Sequence, residues 1–395
     1  MALPRIRINT DAAKRLRNHN AWVFRDELLD PPSAAAGDVV EITDERGHFV
    51  ARGFYHPTAH IALRVVATTP DEELGSAFWE RRLRAAIDRR AQIGGTNARR
   101  LVFSEADALP GLIVDDYAGH LVVQFRSAGM DRLRDEILSL LERLLQPKGI
   151  LERSDKEFRQ EEGLPLIAQV QRGTVPPRIH IEEHGLRFWV DPHHGLKTGF
   201  FLDQRDARLR IREMIRPGQR VLDTFSYTGG FGVACAMQGA DVTCVEQSEA
   251  FVELAKENAA LNGVADRMRF VAGNAFYWLD AQAAANERVD ALVLDPPSLA
   301  KARGDITTGR QALHHLLRHA LHLTRDGGLL AVSICTYHLL NRLEEIIRIA
   351  AAERNQRIHV VDQWPQAADH PWILQIPATR YLTTWCLRLD GPPAA

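Results

Sequence analysis

Short apolar runs punctuate the chain from about residue 205 onward: "RVLDTFSY", "DVTCVEQ", "MRFVAGN", "DALVLDPP" and "GLLAVSIC". Stretches with helical spacing, such as "SEAFVELAKENAALNG", separate them. Strands alternating with helices predict a parallel sheet with crossover helices. The first part of the chain has a different pattern. "VVEITDERGHFVARGFYHP" alternates apolar and polar residues and turns at Arg46-Gly47, a hairpin signal. Leu74, Phe78, Leu83 and Ile87 then recur at helical spacing. Strand-like runs follow, separated by Pro110-Gly111 and Ala118-Gly119, and the helical stretch "MDRLRDEILSLLERLL" stops before Pro147. "PLIAQVQRGTVPPRIHIEEHGLRFWVD" is again strand and turn. The pattern divides the chain into a β-rich unit over 1–72, an α+β unit over 73–180 and an α/β unit over 181–395.

Composition narrows the class without naming a chemistry. The 395 residues are 45% hydrophobic and 25% charged, an ordinary globular balance for two or three domains. A net charge of −2 gives no global field for a polyanion, although a local basic face is compatible with it. Seven arginines crowd between Arg81 and Arg100, either a solvated helix face or an RNA-facing patch. Four cysteines without Cys-x-x-Cys spacing argue against a disulfide framework and a zinc site. The N-terminal "MALPRIRINT" has no apolar core of a leader, and no run of about 18 apolar residues occurs. A cytoplasmic protein with reduced thiols, no membrane partner and no metal is expected.

In parallel sheets, ligands bind outside the carboxyl ends of the strands, so the residues closing each run carry the candidate chemistry. The first run ends "LDTFSYTGGFG": Asp223 closes it, and Gly229, Gly230 and Gly232 open the next helix, where a ligand can approach the backbone. Gly-x-Gly-x-x-Gly and Gly-Lys-Ser/Thr are both absent here, which disfavours a dinucleotide fingerprint and a P-loop. The second run ends at Glu246, whose carboxylate can accept from two ribose hydroxyls or simply sit near a helix start. The third places Asn274 where an adenine amino group could be read. The fourth ends "LDPPSLAK", with Asp295 before two prolines that stiffen the loop. The fifth, "AVSICTYHLL", puts Cys335 at the same edge, as core residue or as nucleophile.

This set resembles the class I S-adenosylmethionine-dependent methyltransferases. "IEEHG" (181–185), "HGLKTGFFLDQRDAR" (194–208), "FSYTGGF" (225–231), "LDPPSLAK" (294–301) and "QAADHP" (366–371) together resemble the bacterial large-subunit ribosomal RNA cytosine-C5 methyltransferase family. "NHNAWVF" and "ARGFYHP" are similar to its N-terminal PUA part. The resemblance implies a PUA domain, a central α+β domain and a Rossmann-like methyltransferase domain. It implies S-adenosylmethionine as cofactor and large-subunit ribosomal RNA as partner. Phe225, Tyr227 and Gly229 would line the methionine end, Glu246 would hold the ribose, and Asn274 with Ala275 would flank the adenine. Asp223 belongs to the same cofactor set. Gln204 and Arg205 would close the pocket, Asp295 would face the target base, and Cys335 would be the nucleophile. Relatives commonly carry Ser-Cys-Ser where this chain has Ile334-Cys335-Thr336, and many carry Asp in place of Asn274.

Cytosine carbon 5 is a poor nucleophile. Thiolate attack on carbon 6 pushes electron density onto carbon 5, and a group at N3 such as Asp295 assists. The base that removes the carbon-5 proton stays open among Ser298, Lys301, His338 and a water. Cys235, Cys244 and Cys386 read as core. His314, His315, His319 and His322 share one helix, read as solvent- or RNA-facing rather than metal-binding. Asp369 and His370 either approach the base or form an Asp-stabilised turn. Amino-group methylation without a cysteine, a non-catalytic RNA-binding assembly factor and a homodimer remain open.

Overall fold

The computed structural model describes residues 3–30, 33–155, 158–300 and 303–390. The chain forms two compact units: Met1–Ile181 with Val190–Leu202 and Asp369–Thr379, and Glu182–Trp189 with Asp203–Ala368 and Arg380–Ala395.

The first unit holds two five-stranded sheets. One runs in the order Arg5–Arg7, Val39–Thr43, Phe49–Tyr55, Ile61–Ala67, Trp22–Phe24. Its hairpin turns where the alternation predicts, with Gly47 at φ +80° and its N–H on the Asp44 carbonyl. The other runs Ile167–Gly173, Gly149–Ser154, His120–Phe125, Leu112–Tyr117, Ala98–Phe103, and the helices Ser76–Arg89 and Arg134–Leu145 share its core. Phe54 and Val66 of the first sheet belong to that same core, packed with Phe78, Trp79 and Leu83. Arg64 adds a buried polar join, donating to Glu105 at 2.8 Å and Glu162 at 3.2 Å. The N-terminal sheet and the central sheet therefore pack as one body.

The arginine run from 81 to 100 is largely consumed within this unit. Arg81 pairs with Glu72, Arg84 with Glu80, and both Arg89 and Arg90 with Asp107. Arg100 grips Asp115 through two bonds of 2.7 and 2.8 Å. A guanidinium already held by a carboxylate offers little net charge to a phosphate, so the run builds structure more than it builds a basic face.

The second unit is a seven-stranded sheet. Its strands are β1 (Arg220–Thr224), β2 (Asp241–Glu246), β3 (Met268–Ala272), β4 (Val289–Leu294), β5 (Thr324–Ile334), β6 (Ile358–Pro365) and β7 (Thr383–Leu389). They run in the order β3-β2-β1-β4-β5-β7-β6. The five predicted runs are the parallel strands, and β7 pairs antiparallel with both β5 and β6. The helices are α1 (Arg205–Met214), α2 (Gly230–Ala236), α3 (Glu249–Leu261), α4 (Ala275–Ala284), α5 (Ile306–Leu323) and α6 (Leu343–Ala352). The reversal of strand order at β1 and β4 opens the crevice where ligands bind in such sheets. Among the described residues, no helix is long and apolar enough to cross a membrane.

The motif "IEEHG" makes a tight turn between Ile179–Glu183 and Leu186–Val190. His184 and Gly185 take φ of 49° and 78°, the two left-handed residues that match a hairpin's twist. Glu183 is buried there and accepts from Arg208 of α1 through bonds of 2.7 and 2.6 Å. Two motifs far apart in the sequence thus form one buried fork. Glu183→Ala leaves the Arg208 guanidinium buried without its partner. The expected loss is about 3–5 kcal/mol of stability, read as a lower midpoint in urea unfolding.

Candidate active site

Parallel register aligns the strand ends. Thr224 pairs with Val245 on one side and Leu294 on the other, so Phe225, Glu246 and Asp295 leave the sheet side by side. Asp223 sits one pair deeper and is 1% exposed. Its Oδ2 accepts from Gly232 N at 2.8 Å, while Oδ1 is buried without a hydrogen-bond partner. Burial pushes this carboxyl up to about 8. The Gly232 N–H opposes that rise, and the nearby charges of Asp295 and Glu246 add to it. Asp223, Glu246 and Asp295 thus form one acidic cluster at the edge of the sheet.

The loop after β1 is held in a strained conformation. Phe225, Tyr227 and Gly229 take φ of 59°, 49° and 79°. Only Gly229 does so without steric cost, and a Cβ there would also meet the Ala255 Cβ at 3.2 Å. The strain is sustained by anchors on both sides. Tyr227 N donates to Glu246 Oε2 at 3.0 Å, and Ser248 N donates to Oε1 at 2.9 Å. The Tyr227 ring meets Phe251 edge-on at 4.6 Å, and Phe225 meets Phe276 at 5.8 Å. Gly232 sits against Asp223, and a Cβ there would run into the Cys244 sulfur.

Asn258 was not singled out from the sequence, yet it fixes this loop. Fully buried on α3, it accepts from Trp189 N at 2.7 Å and donates to the Thr228 carbonyl at 3.0 Å. Asn262, one turn on, accepts from Arg187 N at 2.9 Å. The two asparagines at a spacing of four in "ENAALNG" were the available signal: Asn258 is a polar residue on the buried face of an amphipathic helix, with Asn262 one turn on.

At the end of β3, Asn274 caps α4, its Oδ1 accepting from Phe276 N at 2.9 Å. That bond uses one lone pair of the amide oxygen and leaves the other, with the amide N–H donors. Ala275 is the first, buried residue of α4. Gln204 and Arg205 lie at the entry to α1 and both are buried. Gln204 reaches the cluster, donating to Asp295 Oδ2 at 3.1 Å while accepting from Thr384 at 3.3 Å. The Arg205 Nε lies 3.3 Å from Asp206 of its own helix.

Cys335 follows β5 directly and is partly exposed, whereas Cys235, Cys244 and Cys386 are buried. Burial pushes the Cys235 and Cys244 thiols far up and the Cys386 thiol up to about 12, the behaviour of core residues. The Cys335 sulfur lies 3.9 Å from the Pro296 carbonyl oxygen. Next to it, Ser298 and Thr336 share a hydrogen bond of 2.9 Å that ties the Asp-Pro-Pro loop to the end of β5. Ile334 packs into the core, so the hydroxyl beside the cysteine comes from Thr336 alone of its two neighbours. His338 is partly buried, its ring 5.7 Å from that of Tyr337, and Lys301 lies outside the described residues.

Asp369 and His370 take the turn reading. Asp369 is buried, accepts from Arg100 N at 3.0 Å and contacts His370 Nδ1 at 2.9 Å, all within the first unit.

The PUA-like domain family matches residues 6–68, and the S-adenosylmethionine-dependent methyltransferase family matches residues 172–374. Ribosomal RNA large subunit methyltransferase I of Shigella flexneri is 34% identical over 384 residues, 95% of this chain and 97% of that protein. A solved methyltransferase complexed with S-adenosylhomocysteine superposes with a TM-score of 0.86 at 21% identity, covering 98% of this chain and 100% of that one. A Streptococcus mutans methyltransferase gives 0.84 at 20% identity, again over 98% and 100%. The residues present fit the cofactor of this family. Its cationic sulfonium and ammonium suit the acidic cluster with its unpartnered Asp223 oxygen, and its ribose suits the fixed Glu246 carboxylate. The chain belongs to the family of S-adenosylmethionine-dependent methyltransferases that includes ribosomal RNA large subunit methyltransferase I.

Proposed function

We propose that the protein methylates carbon 5 of a cytosine in large-subunit ribosomal RNA through a covalent adduct with Cys335. The observation that carries this reading is the position of the thiol. It is the partly exposed cysteine of the four, at a strand end, with its sulfur against the Pro296 carbonyl of the Asp-Pro-Pro loop. The ribosomal substrate is carried over from the relatives named above, and the PUA-like match over 6–68 supports RNA engagement by the N-terminal part. In this reading residues 1–72 engage RNA, 73–180 join the two ends, and 181–395 carry out the reaction in the cytoplasm.

The cofactor supplies an electrophilic methyl group on a sulfonium. The protein positions both partners. Asp223 and Glu246 take the cationic and ribose parts, with Phe225, Tyr227 and Gly229 shaping the backbone around them and Asn274 and Ala275 bordering the adenine. Gln204 orients Asp295, whose carboxyl faces N3 of the base. The Cys335 thiolate adds to carbon 6, the carbon-5 carbanion so generated takes the methyl group, and loss of the carbon-5 proton re-forms the double bond as the thiolate leaves. The Ser298–Thr336 bond keeps the two loops in register during these steps. Mass mapping of modified nucleosides in ribosomal RNA from a deletion strain identifies the position.

Glu246→Ala removes the ribose acceptor. S-adenosylmethionine affinity is expected to fall tenfold or more by calorimetry, since a bond to a charged group contributes about 1.5–3 kcal/mol. Unchanged affinity would remove Glu246 from the site.

Asp223 gives a pH signature. Its folded pKa of about 8 lies above its unfolded value, so the ligand-free fold loses stability as pH rises toward 8 and the buried carboxyl ionises. Asp223→Asn is therefore expected to raise the melting temperature at pH 8 and to leave it nearly unchanged at pH 4, while weakening cofactor binding. Equal shifts at both pH values would contradict this origin.

Cys335→Ala is expected to abolish methylation while leaving cofactor affinity nearly intact. RNA with 5-fluorocytosine at the target should trap wild-type protein covalently, because fluorine cannot leave as a proton does. A variant that still methylates would point to amino-group methylation instead.

A further inference from the structure

Helices α4 and α5 bring together a group of side chains that the reaction does not use. His315 and His319 stand one turn apart on α5, and their Nε2 atoms lie 2.9 and 3.2 Å from the same oxygen, Oδ1 of Asp280 on α4. The three potential ligand atoms all fall within 4.8 Å of one another. The rings are held in place: His315 and His319 meet edge-on at 4.7 Å, and His315 stacks on Phe276 at 6.2 Å.

We propose that Asp280, His315 and His319 form a site for a divalent transition metal, zinc in the first instance, with water completing its coordination. The ligand types suit it, two imidazoles and one carboxylate being a common catalytic-type donor set for zinc. The distances suit it as well. Bonds of about 2.0–2.1 Å at tetrahedral angles separate ligand atoms by roughly 3.3 Å, so small outward shifts of the rings suffice. Binding exchanges two imidazole N–H bonds to one carboxylate oxygen for three metal bonds. The ion would clip α4 to α5, and the first turn of α4 carries Asn274 and Ala275 at the border of the cofactor region. Its role is structural, since none of the three ligands belongs to the acidic cluster. The other histidines of α5 differ: His314 lies 3.0 Å from Glu353 and serves as an internal control.

The test uses the tag-free, full-length chain after chelator treatment, titrated with zinc chloride by calorimetry and with cobalt(II) by visible absorption. One saturable zinc site per chain is expected, together with a higher melting temperature and a cobalt spectrum without sulfur charge transfer. His319→Ala and Asp280→Asn should each weaken binding tenfold or more and abolish the thermal shift, and His314→Ala should change neither. Circular dichroism of each variant checks that it folds, and His319→Gln replaces any that does not. Absence of saturable binding, or binding that survives His319→Ala or His319→Gln with sulfur charge transfer to cobalt, would overturn the site and assign the metal to the thiols.

Discussion

Three carboxylates share the carboxyl edge of the parallel sheet, and one of them, Asp223, is buried with an oxygen that has no hydrogen-bond partner. Everything around the site is arranged to tolerate that concentration of negative charge. Strand register brings Asp295 and Glu246 beside Asp223, the amide of Gly232 partly offsets the buried charge, and Gln204 and the backbone of Tyr227 and Ser248 hold the other two in place. Without a bound cation the cluster is a cost to the fold, visible in the raised pKa of Asp223. The strained loop from Phe225 to Gly229 lies beside this cluster and is held by ring contacts of Phe225 with Phe276 and of Tyr227 with Phe251.

Buried ion pairs hold the rest of the chain in register. Glu183 and Arg208 join a β-hairpin to the helix that carries Gln204 and Arg205 at its start, so a motif remote from the chemistry sets the entry to the site. Arg90 with Asp107, Arg100 with Asp115, and Arg64 with Glu105 and Glu162 do the same in the first unit. Such pairs are unforgiving of single substitutions, since the partner left behind stays buried and charged. They also explain how an arginine-rich stretch can add little to the basic character of the surface.

Cys335 differs from the other cysteines in its exposure. Cys235, Cys244 and Cys386 are enclosed by the core, which raises their thiols and makes them inert. Cys335 stands past the last hydrogen-bonded residue of β5, where the chain turns outward beside two prolines. The Ser298–Thr336 bond ties those two segments at the level of the sulfur.

The sequence by itself determined the parallel part of the second unit. Its five apolar runs are the parallel strands, and the residues that close them, Asp223, Glu246, Asp295 and Cys335, share one edge, because period and strand-end position are local properties of the chain. Several matters were decided only by the tertiary structure. The asparagine spacing in "ENAALNG" marked Asn258, but its partners Trp189 and Thr228 lie far from it along the chain, so its hold on the loop was not legible. The pairing of Glu183 with Arg208 was hidden for the same reason, although both motifs were visible. The arginine run was ambiguous until its carboxylate partners were placed, and the bonds that Arg90 and Arg100 make to Asp369 were not legible in the sequence. The histidines of α5 lacked an acidic companion in the sequence; Asp280 reaches them only because α4 and α5 pack side by side. In each instance the missing information was a long-range contact, which the periodicity of a chain does not encode.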